Sequence, residues 1–284
     1  HGHGRASLAL HIPGESPEGG LAFMGHMDTV SCGDPALWKC DPLSAQREGD
    51  MIYGRGTDDD KGPLVAAMLA MRCVRELGLP LTKNAKLIIG TDEESGSEDI
   101  AYYYANHPFA PYALSPDADF PVTNIEKAHY SPRFSASWEK TVSPGVRVLA
   151  LDGGIRVNVA PANCTCLVEN ADRTQLEAVL KRVSGETGVS LTAVYEGNTA
   201  KINAAGVQAH ASTPDEGKNA ITATLQVLCA LPLAQGAAEK TVQQLHEIFP
   251  YGDNRGKALG IAMEDAVSGC LTLTFSMVHL DSTG

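Results

Sequence analysis

The chain has 284 residues, of which 43% are hydrophobic and 20% charged, and its formal net charge is −12. That length and balance are those of one or two globular domains with a buried core. The negative charge repels phosphate backbones and anionic bilayers, which argues against nucleic-acid and membrane partners, and no apolar run reaches the roughly eighteen residues of a membrane-spanning helix.

In chain order, Ser7–Ile12 reads as a strand joined by the turn-rich stretch Pro13–Gly20 to a second, apolar strand over Leu21–Gly25, which ends at His26-Met-Asp28. Pro63–Leu77 has its apolar residues at three- and four-residue spacing, which predicts a helix. Pro63 lies in its first turn, and Gly78 ends it. Ala85–Gly90 is a strand running directly into Thr91-Asp-Glu-Glu. Ser97–Asn106 is a helix with Ser95 or Ser97 as its cap, and Ala113–Ser115 is a short strand ending at Pro116-Asp117. Strands alternate with helices, and the acidic residues follow the strand ends. This is the pattern of an α/β domain with a mainly parallel sheet and a site at the carboxyl edge of its strands.

From about Ala128 the pattern changes to α+β, so the chain divides into segments 1–127 and 128–284. Strands are expected over Val146–Leu151, Ile155–Val159, Cys164–Val168, Val189–Tyr195, Ala200–Ala205 and Leu271–Leu280. Helices are expected from an Asp172 cap through Val183 and over Asn219–Leu231. The seven cysteines form no C-x-x-C pair, and Cys164 and Cys166 fall on one face of a strand. They read as buried thiols of a reducing cytoplasm, with a disulfide or metal role as the alternative. The sequence begins at His1 and stops at Gly284 directly after a strand-like run, and both ends read as cuts in a longer product.

The residues that could carry chemistry are His26-x-Asp28, Asp59, Glu93-Glu94, Asp117 and His210. His26 and Asp28 point the same way in an extended chain, so a carboxylate could hold the imidazole as a metal ligand; a polar strand end is the alternative. Asp58, Asp59 and Asp60 crowd three carboxylates into a glycine-rich turn. They are tolerated if solvated or if a cation sits among them. Glu93 and Glu94 follow a buried strand, where one could bind metal while its neighbour takes a proton from water. Singly, each of these acids, Asp117 included, reads as a cap or surface residue, and a lone histidine such as His210 as structural. Jointly, one imidazole and several carboxylates suit zinc, with cobalt or manganese as substitutes.

The segments GHMDTV, W-x-x-DP, GDMIYGRGTDDDKGP, LIIGTDEESG and SPDADFP together resemble the aminoacylase/dipeptidase family of zinc metallopeptidases, which includes carnosinase and succinyl-diaminopimelate desuccinylase. The closest likeness is to bacterial dipeptidases of the PepV type. The resemblance implies a di-zinc catalytic domain over residues 1–127 and a lid domain over 128–284, both incomplete. It makes His26 and Asp117 ligands of one zinc, Glu94 a ligand of the other and Asp59 the bridge. Asp28 orients His26, and Asp58 and Asp60 are not ligands. Glu93 becomes the general base. His210, in GVQAHASTP, becomes a lid residue that stabilises the oxyanion, with Asn158 near the substrate carbonyl.

The family also uses one more zinc-ligating histidine and a late arginine for the substrate carboxylate. After His210 only His246 and His279 remain, neither in the expected glycine-rich context. The resemblance therefore implies a cytoplasmic, monomeric zinc dipeptidase acting on dipeptides, of which this stretch is a weakly active or inactive part. An N-acyl amino acid deacylase and a non-catalytic fragment are the alternatives.

Overall fold

The computed structural model describes residues 6–33, 38–118, 121–139 and 143–284, and the chain divides into two units, His1–Asn124 and Ile125–Gly284. In the first, β1 (Leu8–Ile12) and β2 (Ser16–His26) are followed by a small hairpin of β3 (Gln46–Glu48) and β4 (Met51–Tyr53). Then come α1 (Gly62–Glu76), β5 (Lys83–Gly90), α2 (Glu98–Asn106) and β6 (Tyr112–Leu114). The sheet order is β1-β5-β2-β6, with β2 parallel to both β5 and β6 and only β1 antiparallel. The parallel strands are apolar because a helix covers them: Leu64, Ala67 and Met71 of α1 pack with Leu87 and Ile89 of β5. Pro63 lies in the first turn of α1, where its missing N–H costs nothing, and Gly78 follows the helix at φ 64°, a left-handed conformation that favours glycine.

This register fixes where the chemistry can be. His26 pairs with Gly90 and Phe23 with Leu114, so β2, β5 and β6 all end at one edge of the sheet. His26, the Asp92–Glu94 turn and Asp117 leave the sheet together there.

The second unit runs β7 (Arg147–Gly153), β8 (Val159–Ala160), β9 (Asn163–Glu169), α3 (Arg173–Thr187), β10 (Ser190–Glu196), β11 (Thr199–Ala205) and β12 (Ala209–His210). It continues with α4 (Ala220–Cys229), α5 (Ala237–Ile248), the two-residue pair β13 (Glu264–Asp265) and β14 (Gly269–Cys270), and β15 (Val278–Leu280). Its antiparallel sheet, in the order β10-β11-β9-β7-β15, alternates buried and outward residues; Cys164, Cys166 and Val168 of β9 all point inward. Against that face pack Leu176, Leu180 and Val183 of α3 and Ile221, Leu225 and Leu228 of α4. The Asp172 carboxylate caps α3 by accepting from Gln175 N–H, and Asn219 caps α4 by accepting from Ile221 and Thr222 N–H. Asn219→Ala is expected to lower the unfolding free energy by about 1–2 kcal/mol, since it also removes the donor to Phe275 O; urea denaturation of the chain measures this.

Several elements differ from the sequence expectation. Ile155–Asn158 is a turn rather than a strand, with Ile155 and Val157 exposed, and only Val159–Ala160 pairs. The chain bends at Gly154, φ 78°, where a Cβ would overlap Ser276 O. Only the last three residues of Leu271–Leu280 join the sheet. Leu271 and Leu273 donate instead to Met263 O and Asn254 O, which lie in loops. Ser97 occupies the N-cap position of α2, but its side chain makes no capping bond. The Asp92 carboxylate accepts Glu98 N–H, and Ser97 itself sits at φ 56°. Helix α5 and the β3–β4 hairpin were not expected.

Candidate metal centre

His26 lies at the last position of β2 and is 3% exposed. Its ring is oriented from behind: Nδ1 lies 3.0 Å from the carbonyl oxygen of Asp28 and 3.3 Å from that residue's Oδ1. Both oxygens only accept, so Nδ1 carries a proton, and Nε2 is turned forward, where it can offer a lone pair once free of its own proton. In front of Nε2 stand Asp59 Oδ1 at 3.0 Å, Asp117 Oδ2 at 3.3 Å and Glu93 Oε2 at 4.0 Å.

The other side chains arrive by different routes. Thr57–Lys61 is an irregular turn ahead of α1 that carries Asp59 at φ −111°, ψ 99° and contains a cis Asp59–Asp60 peptide. Asp59 projects into solvent, whereas Asp60 is fully buried and accepts His26 N–H through Oδ2 at 3.1 Å. A side chain at position 25 would put its Cβ 2.5 Å from that Oδ2, so the contact requires Gly25. Glu93 and Glu94 open a single 3₁₀ turn after β5, held by Asp28. Its Oδ1 accepts Glu93 N–H at 3.2 Å and its Oδ2 accepts Glu94 N–H at 3.1 Å. Asp117 comes from the segment after β6.

The donor set fits a cation. One ligand atom each from His26, Asp59 and Asp117 lie within 4.8 Å of one another, the only such group of three among the described residues. A lone pair facing two carboxylates is repulsive unless a proton or a metal ion stands between them. A nitrogen with carboxylate oxygens is a zinc-type donor set, with other divalent transition ions as alternatives. The electrostatics carry the same strain. Burial lowers the His26 pKa, but Asp117, Glu93, Asp28 and Asp59 together raise it above the ordinary histidine value. Burial raises the Glu93 carboxyl; His26 opposes this, and Asp117, Glu94 and Asp59 reinforce it. Burial, with Asp59, also raises Asp117 against the opposing His26. Asp60 is pushed up to about 6, chiefly by burial.

A metal entering this site must displace the proton of His26, which is held to a higher pH than in a free histidine. Metal uptake near neutral pH is therefore expected to release protons and to strengthen as pH rises. Calorimetric titration in buffers of different ionisation enthalpy reads the release, and heats that do not depend on the buffer would contradict it.

The structure brings His26, Asp28, Asp59, Glu93 and Asp117 close to one another. Glu94 is not within the triad, and its Oε1 accepts Val30 N–H at 3.2 Å. His210 and Asn158 lie in the second unit. There His210 pairs with Val159 in the short β8–β12 ladder and Ala211 N–H donates to Asn158 O, so these two residues are neighbours. Sequence reasoning set Asp60 aside as a non-ligand and missed its part in holding the His26 backbone. It also missed Asp99, whose Oδ2 accepts Thr91 N–H at 2.7 Å beside the glutamate turn. Nothing in three consecutive aspartates tells which one is buried.

A sheet edge that gathers one imidazole and several carboxylates gives this α/β domain a candidate cation site. The model of peptidase family M20/M25/M40 matches residues 22–230, and the chain belongs to that family. It is 32% identical over 267 residues to the putative dipeptidase YtjP of Bacillus subtilis, covering 94% of this chain and 57% of that protein. To the Beta-Ala-Xaa dipeptidase of Lactobacillus delbrueckii subsp. lactis it is 31% identical over 266 residues, covering 93% and 55%. The chain therefore spans a little over half the length of these curated relatives. Among solved structures, human carnosine dipeptidase 1 is similar at 22% identity and a TM-score of 0.35, over 54% of this chain and 31% of that one. Among the described residues, no helix is long and apolar enough to cross a membrane.

Proposed function

We propose that this chain carries the metal site and general base of a zinc dipeptidase. The observation that supports this most directly is the convergence of Asp59, Asp117 and Glu93 on Nε2 of the buried His26. In this reading two zinc ions bind, with cobalt or manganese as substitutes. His26 and Asp117 would hold one ion and Glu94 the other, with Asp59 shared between them. Such ions would supply Lewis-acid chemistry, which polarises an amide carbonyl and brings the pKa of a coordinated water to about 7. Glu93 takes the proton of the attacking water and delivers it to the leaving amine. Its Oε2 lies 4.0 Å from His26 Nε2, within reach of a water at the centre. Asp28 keeps the His26 ring turned and the Glu93–Glu94 turn in place. Asn158 and His210 serve the substrate carbonyl, His210 as donor to the oxyanion. The dipeptide substrate is suggested by the printed names of the relatives. The seven unpaired cysteine thiols suit a cytoplasmic setting, and the long second segment suits a monomer.

The test is elemental analysis of the purified chain together with hydrolysis of Ala-Ala and β-Ala-His in added zinc, set against N-acetyl and N-succinyl amino acids. Two bound metals with dipeptide turnover support the reading. Cleavage confined to the acylated amino acids would make the protein a deacylase with the same chemistry. A chain that binds no metal would remove the proposal.

A further inference from the structure

We propose that Ser212 is a positioning residue that fixes the tautomer of His210, so that this exposed ring presents Nε2–H outward as a hydrogen-bond donor. The consequence for catalysis rests on the role given to His210 above; the assignment of the tautomer does not.

His210 ends β12 on the surface, where a histidine would ordinarily turn about both side-chain torsions and exchange its proton between the two nitrogens. Here Nδ1 is engaged. Ser212 Oγ lies 2.6 Å from it, and Ser212 N–H donates to the same atom at 3.3 Å. A hydroxyl can donate or accept, so by itself it would not decide the tautomer. The backbone amide can only donate, so Nδ1 must offer a lone pair. The single proton of the neutral ring then sits on Nε2, at the far side from Ser212. An oxyanion needs a donor that is in place before charge develops, and a neutral ring held this way supplies one.

The segment carrying Ser212 is tied down on several sides. Thr213 N–H donates to His210 O at 3.0 Å, and Val207 and Lys218 exchange backbone bonds of 3.1 and 2.8 Å at the base of the loop. Further on, Asp215 is clamped by Asn254 Nδ2 at 2.8 Å and by an Arg255 guanidinium nitrogen at 2.6 Å, both from the loop after α5. Thr274 Oγ1 donates to Ala211 O at 3.3 Å. Loops from two other parts of the unit therefore hold the turn that holds the ring.

The same unit contains its own controls. His279 directs Nδ1 at the Asp152 carboxylate, 2.5 Å away, which can only accept. Its Nδ1 must carry a proton, the reverse of His210. His129 is exposed and serves as the unconstrained reference.

Long-range proton–nitrogen correlation spectra of the ¹⁵N-labelled chain test the assignment, with H210Q identifying the His210 signals. The expected result is a bare Nδ1 and a protonated Nε2 at His210, biased by about tenfold, as one hydrogen bond of ordinary strength allows. His279 should show a protonated Nδ1, and His129 an average. S212A keeps the backbone N–H of residue 212 but loses the Oγ contact, so it should weaken the bias without reversing it, and S212T, which keeps the hydroxyl, should retain it. A wild-type His210 that averages like His129, or an S212A spectrum identical to wild type, would overturn the proposal. In a preparation that turns over dipeptide, S212A should lower kcat, by no more than about twofold through the tautomer, with KM little changed, as for an interaction made only in the transition state. Spectra as expected with unchanged kcat would uphold Ser212 as the residue that sets the ring and would instead remove the oxyanion role of His210.

Discussion

Glu93→Gln is expected to leave metal uptake within a few-fold of wild type and to reduce dipeptide turnover by about 10²–10⁴-fold, the range over which a positioned general base acts. The substitution is close to isosteric. The backbone of the turn is fixed by Asp28 through the main-chain N–H of residues 93 and 94, which the change does not touch. His26, Asp59 and Asp117 also remain as they are. What disappears is a carboxylate whose Oε2 lies 4.0 Å from His26 Nε2, near enough to reach a water at the centre without belonging to the triad. Glutamine cannot take a proton. Chelator competition measures metal affinity and a ninhydrin assay of released amino acids measures rate. An active E93Q protein would strike Glu93 from the mechanism. A protein that lost both metal and rate would make Glu93 a ligand instead of a base.

Much of the first unit was legible in the sequence because its elements are strongly punctuated. Helix α1 has a proline in its first turn, apolar residues at helical spacing and a glycine at φ 64° just beyond it. Strands β2 and β5 are apolar runs that lead straight into polar residues, as buried parallel strands do. The misplaced elements lacked such constraints. Ile155–Val159 and Leu271–Leu280 alternate like strands, but alternation states only a preference. Whether a partner lies alongside is decided elsewhere in the chain, and here loops take the hydrogen bonds. Helix α5 escaped because its buried face is small and includes Glu239, which is 5% exposed and accepts Val148 N–H. A buried glutamate satisfied by a backbone amide ninety residues away leaves no local trace.

The candidate site was legible for a different reason. His26, Glu93 and Asp117 follow parallel strands that end at one sheet edge, so each comes after an apolar run, whereas Asp59 comes from the turn ahead of α1. The residues that support them carry none. Asp60 differs from Asp58 and Asp59 only in being buried behind β2, and Ser212 is one of several serines near a histidine until the turn after β12 is formed.

Asp28→Ala should show how far such support matters. Metal affinity is expected to fall by about 10–100-fold, the usual cost of removing a group that orients a ligand. Turnover should fall further than that loss alone accounts for. Asp28 acts on both halves of the site. Its carbonyl and carboxylate face His26 Nδ1, and the same carboxylate accepts the N–H groups of Glu93 and Glu94. Alanine keeps the carbonyl contact, so the ring is loosened but not released. The two amides lose their acceptor, and the turn that aims Glu93 can relax toward water. Asp28→Asn separates these effects. It keeps one acceptor oxygen for one amide and places an NH₂ against the other amide donor, so metal affinity should drop less than in the alanine variant while turnover still falls. If both variants bind metal like wild type and differ from it only in rate, Asp28 acts through Glu93 alone. If both bind metal weakly and keep their rate once saturated, its whole contribution is to the His26 ring.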